Sequence, residues 1–428
     1  MSLRLRRWGL LVPALALLAV VGTSWWWQAG SSDRAPTAAR APAADLVAQG
    51  AYLARAGNCM ACHTVAGAAP YAGGRPIETP FGIVYSSNLT PDRETGIGNW
   101  TSVDFWRALH EGRSRDGRLL NPAFPYTSYT QVSQEDADAL FAYLRSLPPV
   151  RQPNRPAAMR WPYDSQLALA AWRRLYFSPG VFQRDPTRDA QWNRGAYLVR
   201  ALGHCSACHG ARNLFGAVDQ GQALSGSLMP MQDWYAPSLQ RTSEAGLAHW
   251  PVEEVVRLLQ TGVAAQASVS GPMAEVVLHG TQYLSQDDLR AMARYLQALP
   301  SADAATADGG PGVAPRVSAA GAAIYEKQCA GCHGDAGEGV AGAYPALARN
   351  RAVQQAQTAN LVQIVLHGGF PPATQGNPRP FGMPPFKLVL DDRAVAAVLT
   401  HIRSAWGNQG APVQEWDVAR YRASVANR

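Results

Sequence analysis

Apolar residues along the chain recur at helical spacing, and the same arrangement comes back three times. Leu140, Tyr143, Leu144 and Leu147 line one face of a helix that starts at an N-cap candidate, Ser133, with Asp136 three residues on as in a capping box. The pattern returns after Ser285, with Asp288, and after Asp391. Ten residues beyond each cap stand Tyr143, Tyr295 and His401, followed by Leu144, Leu296 and Ile402. An opening helix precedes each: Gly50-Ala-Tyr-Leu-Ala-Arg, Gly195-Ala-Tyr-Leu-Val-Arg and Gly321-Ala-Ala-Ile-Tyr-Glu. Middle helices are predicted near Val103 to Leu109, Val252 to Leu259 and Leu361 to Leu366. Few strands are signalled, a short extended piece at Phe81 to Tyr85 being the clearest. Repetition on this scale predicts three copies of one small helical unit.

The N-terminus breaks the pattern. Arg4, Arg6 and Arg7 precede a run without charge from Trp8 to Ser32. Trp8 to Trp27 is long enough to span a bilayer, and Trp25, Trp26 and Trp27 suit an interface better than a cleavage site. An uncleaved anchor over residues 1–27 is therefore favoured over a cleaved signal peptide, with the arginines cytoplasmic and the rest exported. Residues 28–45 read as a flexible tether. The units are expected at 46–150, 191–300 and 319–408, with a connecting strap at 151–190, a low-complexity linker at 301–318 and a C-terminal tail at 409–428. The strap holds Trp161, Trp172 and the apolar stretch Leu167 to Phe177. It is expected to pack on the first two units, the other reading being a helix that docks a partner or skims a membrane, with Arg173 and Arg174 on its polar side.

Length agrees with three domains, since 428 residues at about 150 per domain gives that number. Apolar residues make up 47% and charged ones 16%, which excludes a disordered chain. The net +7 comes from scattered residues with no Lys/Arg run, so no nucleic-acid partner is expected.

The chemistry sits in the cysteines. All six fall in three copies of Cys-x-x-Cys-His: Cys59, Cys62 and His63; Cys205, Cys208 and His209; Cys329, Cys332 and His333. Two thiols three positions apart can each add to a haem vinyl group, and the following histidine then binds the iron. Zinc would pair neighbouring knuckles without needing the histidines, and these motifs lie more than a hundred residues apart. A thioredoxin-like pair would not recur three times. Three covalent haems c are expected.

A sixth, axial sulfur raises the potential of an electron-transfer haem. Met383, in Phe381-Gly-Met-Pro, and Met273, in Gly271-Pro-Met, follow the middle helices of the third and second units. Met229 and Met231 precede the helix and are expected in a loop. The first unit has Phe124 at this place and no methionine between Thr64 and Val150. His110 is the one histidine in that stretch, and it aligns with His367 of a unit that already has Met383, so a shared structural role is preferred to ligation. The first iron is expected to be open or unusually ligated. No Ser/His/Asp arrangement, phosphate loop or pair of catalytic acids is recognisable, so no catalytic residue is assigned.

A helix–CxxCH–helix–helix unit resembles the class I cytochrome c fold, so the expected architecture is all-α: three tandem cytochrome c-like domains. From about Leu46 to Gly407 the chain resembles the cytochrome c subunits of bacterial membrane-bound alcohol, gluconate and aldehyde dehydrogenases. The likeness is carried by Gly50-Ala-Tyr-Leu-Ala-Arg-Ala-Gly, Ile77-Glu-Thr-Pro-Phe-Gly, Leu89-Thr-Pro-Asp-Arg-Glu-Thr-Gly-Ile-Gly-Asn-Trp, Trp192-Asn-Arg-Gly-Ala-Tyr-Leu-Val and the two methionine segments. Phe124 departs from it, since many members have methionine there. The resemblance implies a subunit that is not itself an enzyme. It would take electrons from a quinoprotein, flavoprotein or molybdenum dehydrogenase on the periplasmic side of the cytoplasmic membrane, and pass them to membrane quinone or to a downstream cytochrome or oxidase. The alternative is a peroxidase-like haem enzyme working at an open first haem.

Overall fold

The computed structural model describes residues 44–265, 267–301 and 315–425. The anchor read at 1–27, nearly all of the tether and most of the 301–318 linker lie outside them. Among the described residues no helix is long and apolar enough to cross a membrane.

In the first unit α1 (Ala44–Ala56) leads into a one-turn α2 (Cys59–His63), a hairpin β1 (Pro76–Thr79) and β2 (Gly82–Tyr85), then α3 (Ser102–Glu111), a short α4 (Tyr126–Tyr129) and the closing α5 (Gln134–Ser146). The strap contributes β3 (Ala158–Met159) and α6 (Gln166–Tyr176). The second unit runs through α7 (Ala190–Tyr197), which widens into a π-helical turn (Leu198–Leu202), then α8 (Ser206–His209), β4 (Ser227–Leu228), β5 (Tyr235–Ala236), α9 (Val252–Thr261), β6 (Val263–Ala264), β7 (Ala267–Ser268), α10 (Gly271–His279) and α11 (Gln286–Gln297). The third holds α12 (Pro315–Gln328), α13 (Ala330–His333), α14 (Arg351–Gln354), α15 (Ala359–His367), α16 (Asp392–Ser404) and α17 (Glu415–Val425). Short antiparallel strands thus accompany the helices, β1-β2-β3, β4-β5 and β6-β7, and the chain is largely rather than wholly helical.

One contact defines each unit, the crossing of its first and closing helices. A Cβ on Gly50 would fall 1.9 Å from the Ala139 carbonyl oxygen, one on Gly195 1.9 Å from that of Ala291, and one on Gly321 2.2 Å from that of Ala397. Only glycine lets two helix backbones approach so closely. The closing helices are capped as their sequences predict: Ser133, Ser285 and Asp391 accept from the backbone N–H groups of Asp136, Asp288 and Ala394 at 3.2, 3.2 and 2.7 Å. The complete capping box is elsewhere, at Thr101 and Asp104 on α3. At Ser133 and Ser285 the aspartates turn instead to tyrosines of the neighbouring unit.

The first two units share one continuous core, with Leu53, Leu140 and Leu144 on one side and Leu198, Leu289 and Leu296 on the other. The third has its own, around Val362, Leu366, Val395 and Leu399. The expected C-terminal tail at 409–428 is corrected here: α17 folds back and buries Val418 and Tyr421 in that core, while Arg422 bonds Asp392 and the carbonyls of Lys387 and Leu390. Two apolar residues three apart are too few to stand out by periodicity alone. The third unit's first helix likewise starts at Pro315, inside the segment read as linker.

The strap is tied down along its length. Ala158 and Met159 pair with Ile83 and Gly82. Gln166 exchanges hydrogen bonds with the Leu119 backbone, the Phe182 N–H donates to the Gln131 carbonyl, and Trp172 Nε1 donates to the Phe215 carbonyl of the second unit at 2.9 Å.

Candidate haem-binding sites

Each Cys-x-x-Cys-His segment forms a single helical turn, which puts its two thiols on one side and delivers the histidine immediately after. Asn58 and His204, just before Cys59 and Cys205, adopt left-handed backbone (φ 48° and 38°), so the chain turns sharply into the motif. His204 is therefore a helix-end residue, with its ring edge on Tyr129.

The three motif histidines share one hydrogen bond. His63 Nδ1 lies 2.7 Å from the Ser87 carbonyl oxygen, His209 Nδ1 2.7 Å from that of Pro237, and His333 Nδ1 3.0 Å from that of Pro345. A carbonyl only accepts, so Nδ1 carries the proton and Nε2 keeps its lone pair for a metal. Burial lowers the pKa of all three, which favours the neutral, ligating form. The cysteines are not paired in disulfides. Burial pushes the thiols of Cys59 and Cys205 up to about 12 and that of Cys329 to about 11. Unpaired sulfurs three positions apart beside an oriented imidazole fit covalent haem. Such a group would be held by the two sulfurs and the histidine and would supply one-electron redox chemistry.

The opposite wall differs among the units. Met383 follows a tight return in which its backbone exchanges two hydrogen bonds with Gly369, at 3.0 and 2.8 Å, and its side chain packs on the third core. Met273 lies in the first turn of α10 and packs on the shared core. Gly271 enters that turn with φ 52°, where a Cβ would meet the Trp234 ring at 2.6 Å. Met231 is 47% exposed, in left-handed backbone within the β4–β5 turn. In the first unit Phe124 packs on Tyr129, ring centroids 5.4 Å apart. His110 has its Nδ1 2.8 Å from the Thr130 carbonyl oxygen and its ring stacked on Trp106.

Sequence reasoning missed how the first two units interlock. Tyr197 donates to Asp136 at 2.6 Å and accepts from the Ser133 N–H at 3.2 Å, and Tyr52 does the same at Asp288 and Ser285. A signal exists, since Tyr52 and Tyr197 hold the same place in the repeated Gly-Ala-Tyr-Leu and the third unit has Ala323 there. Arg75 adds a bridge, donating to the Ala61 carbonyl inside the first motif and pairing with Glu275 of α10 at 3.0 Å. His204, next to Cys205, has its Nε2 3.4 Å from the carbonyl oxygen of Gly57, two residues before Cys59, so the first two motifs enter side by side. The third unit docks separately, the Asn360 amide making two 2.8 Å bonds with the Tyr235 backbone.

The cytochrome c family model matches residues 47–148 and 318–406. A nicotinate dehydrogenase component of Pseudomonas putida is 41% identical over 394 residues, 91% of this chain, which spans only 32% of that longer protein. The gluconate 2-dehydrogenase cytochrome c subunit of Pantoea cypripedii is 40% identical over 88% of this chain and 89% of its own length. The cytochrome c subunit of the quinone alcohol dehydrogenase of Gluconobacter oxydans is 36% identical over 91% and 85%. With identity of this order running nearly end to end, and cytochrome c segments bracketing it, the chain belongs to the family of cytochrome c subunits of dehydrogenase complexes.

Proposed function

We propose that this chain is the electron-transfer subunit of a dehydrogenase complex and carries three haems c in three tandem class I cytochrome c domains, at 46–150, at 191–300 and from 319 on, the last closed by α17 (Glu415–Val425). The haems would be bound through Cys59 and Cys62, Cys205 and Cys208, and Cys329 and Cys332, with His63, His209 and His333 as the first axial ligands and Met273 and Met383 as the second at the latter two irons. The observation that carries this is the identical histidine geometry after each of three cysteine pairs that together use every cysteine of the chain.

The protein's part is to space, ligate and bury the haems. A catalytic dehydrogenase subunit donates the electrons, and membrane quinone or a downstream cytochrome or oxidase takes them, on the periplasmic face of the membrane. The three basic residues and the uncharged Trp8–Ser32 stretch support anchoring there. A peroxide-turning enzyme at the first haem finds no support in these relatives, whose names are those of dehydrogenase components. The test is reduction of the purified chain by its co-purifying dehydrogenase. Three electrons taken up per chain, and passed on to a quinone analogue, are expected. Reduction of fewer haems, or peroxide turnover instead, would overturn the reading.

A further inference from the structure

The strap helix α6 (Gln166–Tyr176) is amphipathic the wrong way round for a helix facing water. One of its two arginines points in: Arg173 is 5% exposed and lies over the Tyr126 and Phe177 rings, 5.1 and 4.7 Å from their centroids. Two of its three leucines point out: Leu167 is 62% and Leu175 72% exposed, and with Ala171 between them they form an i, i+4, i+8 stripe. The apolar surface continues beyond the helix. Trp161, 84% exposed, precedes it, and Tyr163 packs on Phe81 with ring centroids 4.5 Å apart. On the other side the second unit adds Leu214 and Phe215, the latter held against the helix by Trp172 and Tyr176. A monomer gains nothing by exposing such a patch to water.

We propose that this face lies in the headgroup region of an anionic bilayer, with the stripe of Leu167, Ala171 and Leu175 and the Trp161 indole inserted. Charge decides for lipid. Residues 151–190 hold seven arginines, no lysine and three acidic residues, a net +4 of the chain's +7. Arg173 is buried and Arg151 pairs with Glu94, which leaves the others to supply the outward-facing charge. Arg174 flanks the stripe, and Arg160 stands next to Trp161. Aromatic and leucine side chains set among arginines are what an interfacial helix presents to acidic lipid. The inference rests on the reading of the chain as an exported, membrane-associated subunit, whose uncharged N-terminal stretch would hold the body within a short tether of the same surface.

The experiment uses the full haem-loaded chain with one added cysteine, Leu175→Cys, carrying a nitroxide label, and Leu388→Cys as a control at a fully exposed site in the third unit. With six cysteines bound as thioethers the unsubstituted chain takes no label. If it does, the haem reading has failed and not this one, and hydrogen exchange over residues 161–176 replaces the label. In vesicles of phosphatidylethanolamine and phosphatidylglycerol, the label at 175 should become severalfold less accessible to an aqueous nickel complex and more accessible to oxygen. The label at 388 should not change. In vesicles without phosphatidylglycerol the effect should weaken. A label at 175 that stays in water in both would overturn the proposal. So would protection that appears only when the catalytic subunit is added without lipid, which would make the face a protein interface.

Discussion

Tyr52 lies inside the N-terminal cap of a helix in the neighbouring unit: its hydroxyl accepts from the Ser285 N–H at 3.1 Å and donates to Asp288 Oδ2 at 2.7 Å. The serine and the aspartate three residues on would otherwise close a capping box between themselves. Here a phenol from another domain is inserted as a relay, and Tyr197 repeats it at Ser133 and Asp136. Tyr52→Phe should therefore strand an amide and part of a carboxylate, costing about 1–3 kcal/mol. Denaturant unfolding of the haem-loaded chain checks this. A loss below about 0.5 kcal/mol would mean water replaces the hydroxyl without penalty.

The same site sets an acid limit. Burial alone would raise the Asp288 carboxyl, but hydrogen bonds from Arg194, at 2.8 and 2.7 Å, and from Tyr52 bring it below the ordinary carboxylate range. A pKa depressed by folding contributes stability above the unfolded value, near 3.9, and loses it as pH falls through the folded one. Unfolding free energy should thus drop below about pH 4. In Asp288→Asn that part of the acid dependence should be gone, at the cost of lower stability at neutral pH.

Pyridine haemochrome analysis of the denatured chain should give three covalent haems. Two would point to a motif that the attachment machinery passes over.

Met273→Ala and Met383→Ala should each abolish one near-infrared sulfur-to-iron band and lower one potential by roughly 0.1 V or more, within the ~0.8 V that axial ligation spans. An unchanged spectrum in Met273→Ala would turn attention to Met229 or Met231.

The first haem should behave differently. Phe124 offers no lone pair, and the His110 ring is stacked on Trp106, interplanar angle 9°. This haem should have the lowest of the three potentials, a high-spin ferric signal, and carbon monoxide binding when reduced. Phe124→Met should remove the carbon monoxide adduct and raise one potential. Three low-spin haems in the unmodified chain would refute the open site.

What is legible in the sequence is what recurs in it. Gly50, Gly195 and Gly321, the cap residues and the three cysteine–histidine motifs stand at repeated places, so their helices can be placed without coordinates. Contacts between repeats stay hidden, because periodicity describes one helix against its own core. Asp136 reads as half of a capping box, and nothing local says that its partner comes from residue 197. Helical spacing sets Arg173 on a polar side of its helix, yet it is buried, because the Tyr126 ring, distant along the chain, folds over it together with Phe177. The carbonyls of Ser87, Pro237 and Pro345 that orient the histidines are backbone atoms and leave no mark on residue type.

The exchanged tyrosines also bear on the order of assembly. A chain emerging from its N-terminus presents Cys59–His63 long before Tyr197 is available to cap α5 (Gln134–Ser146), and the core of the first domain stays open until Leu198 and Leu202 arrive to fill it. The first domain is thus completed only once the start of the second has emerged. Truncation after the first domain should accordingly yield not a small stable cytochrome but half of one folding unit, while the third domain, with a core of its own, is the piece that can be separated.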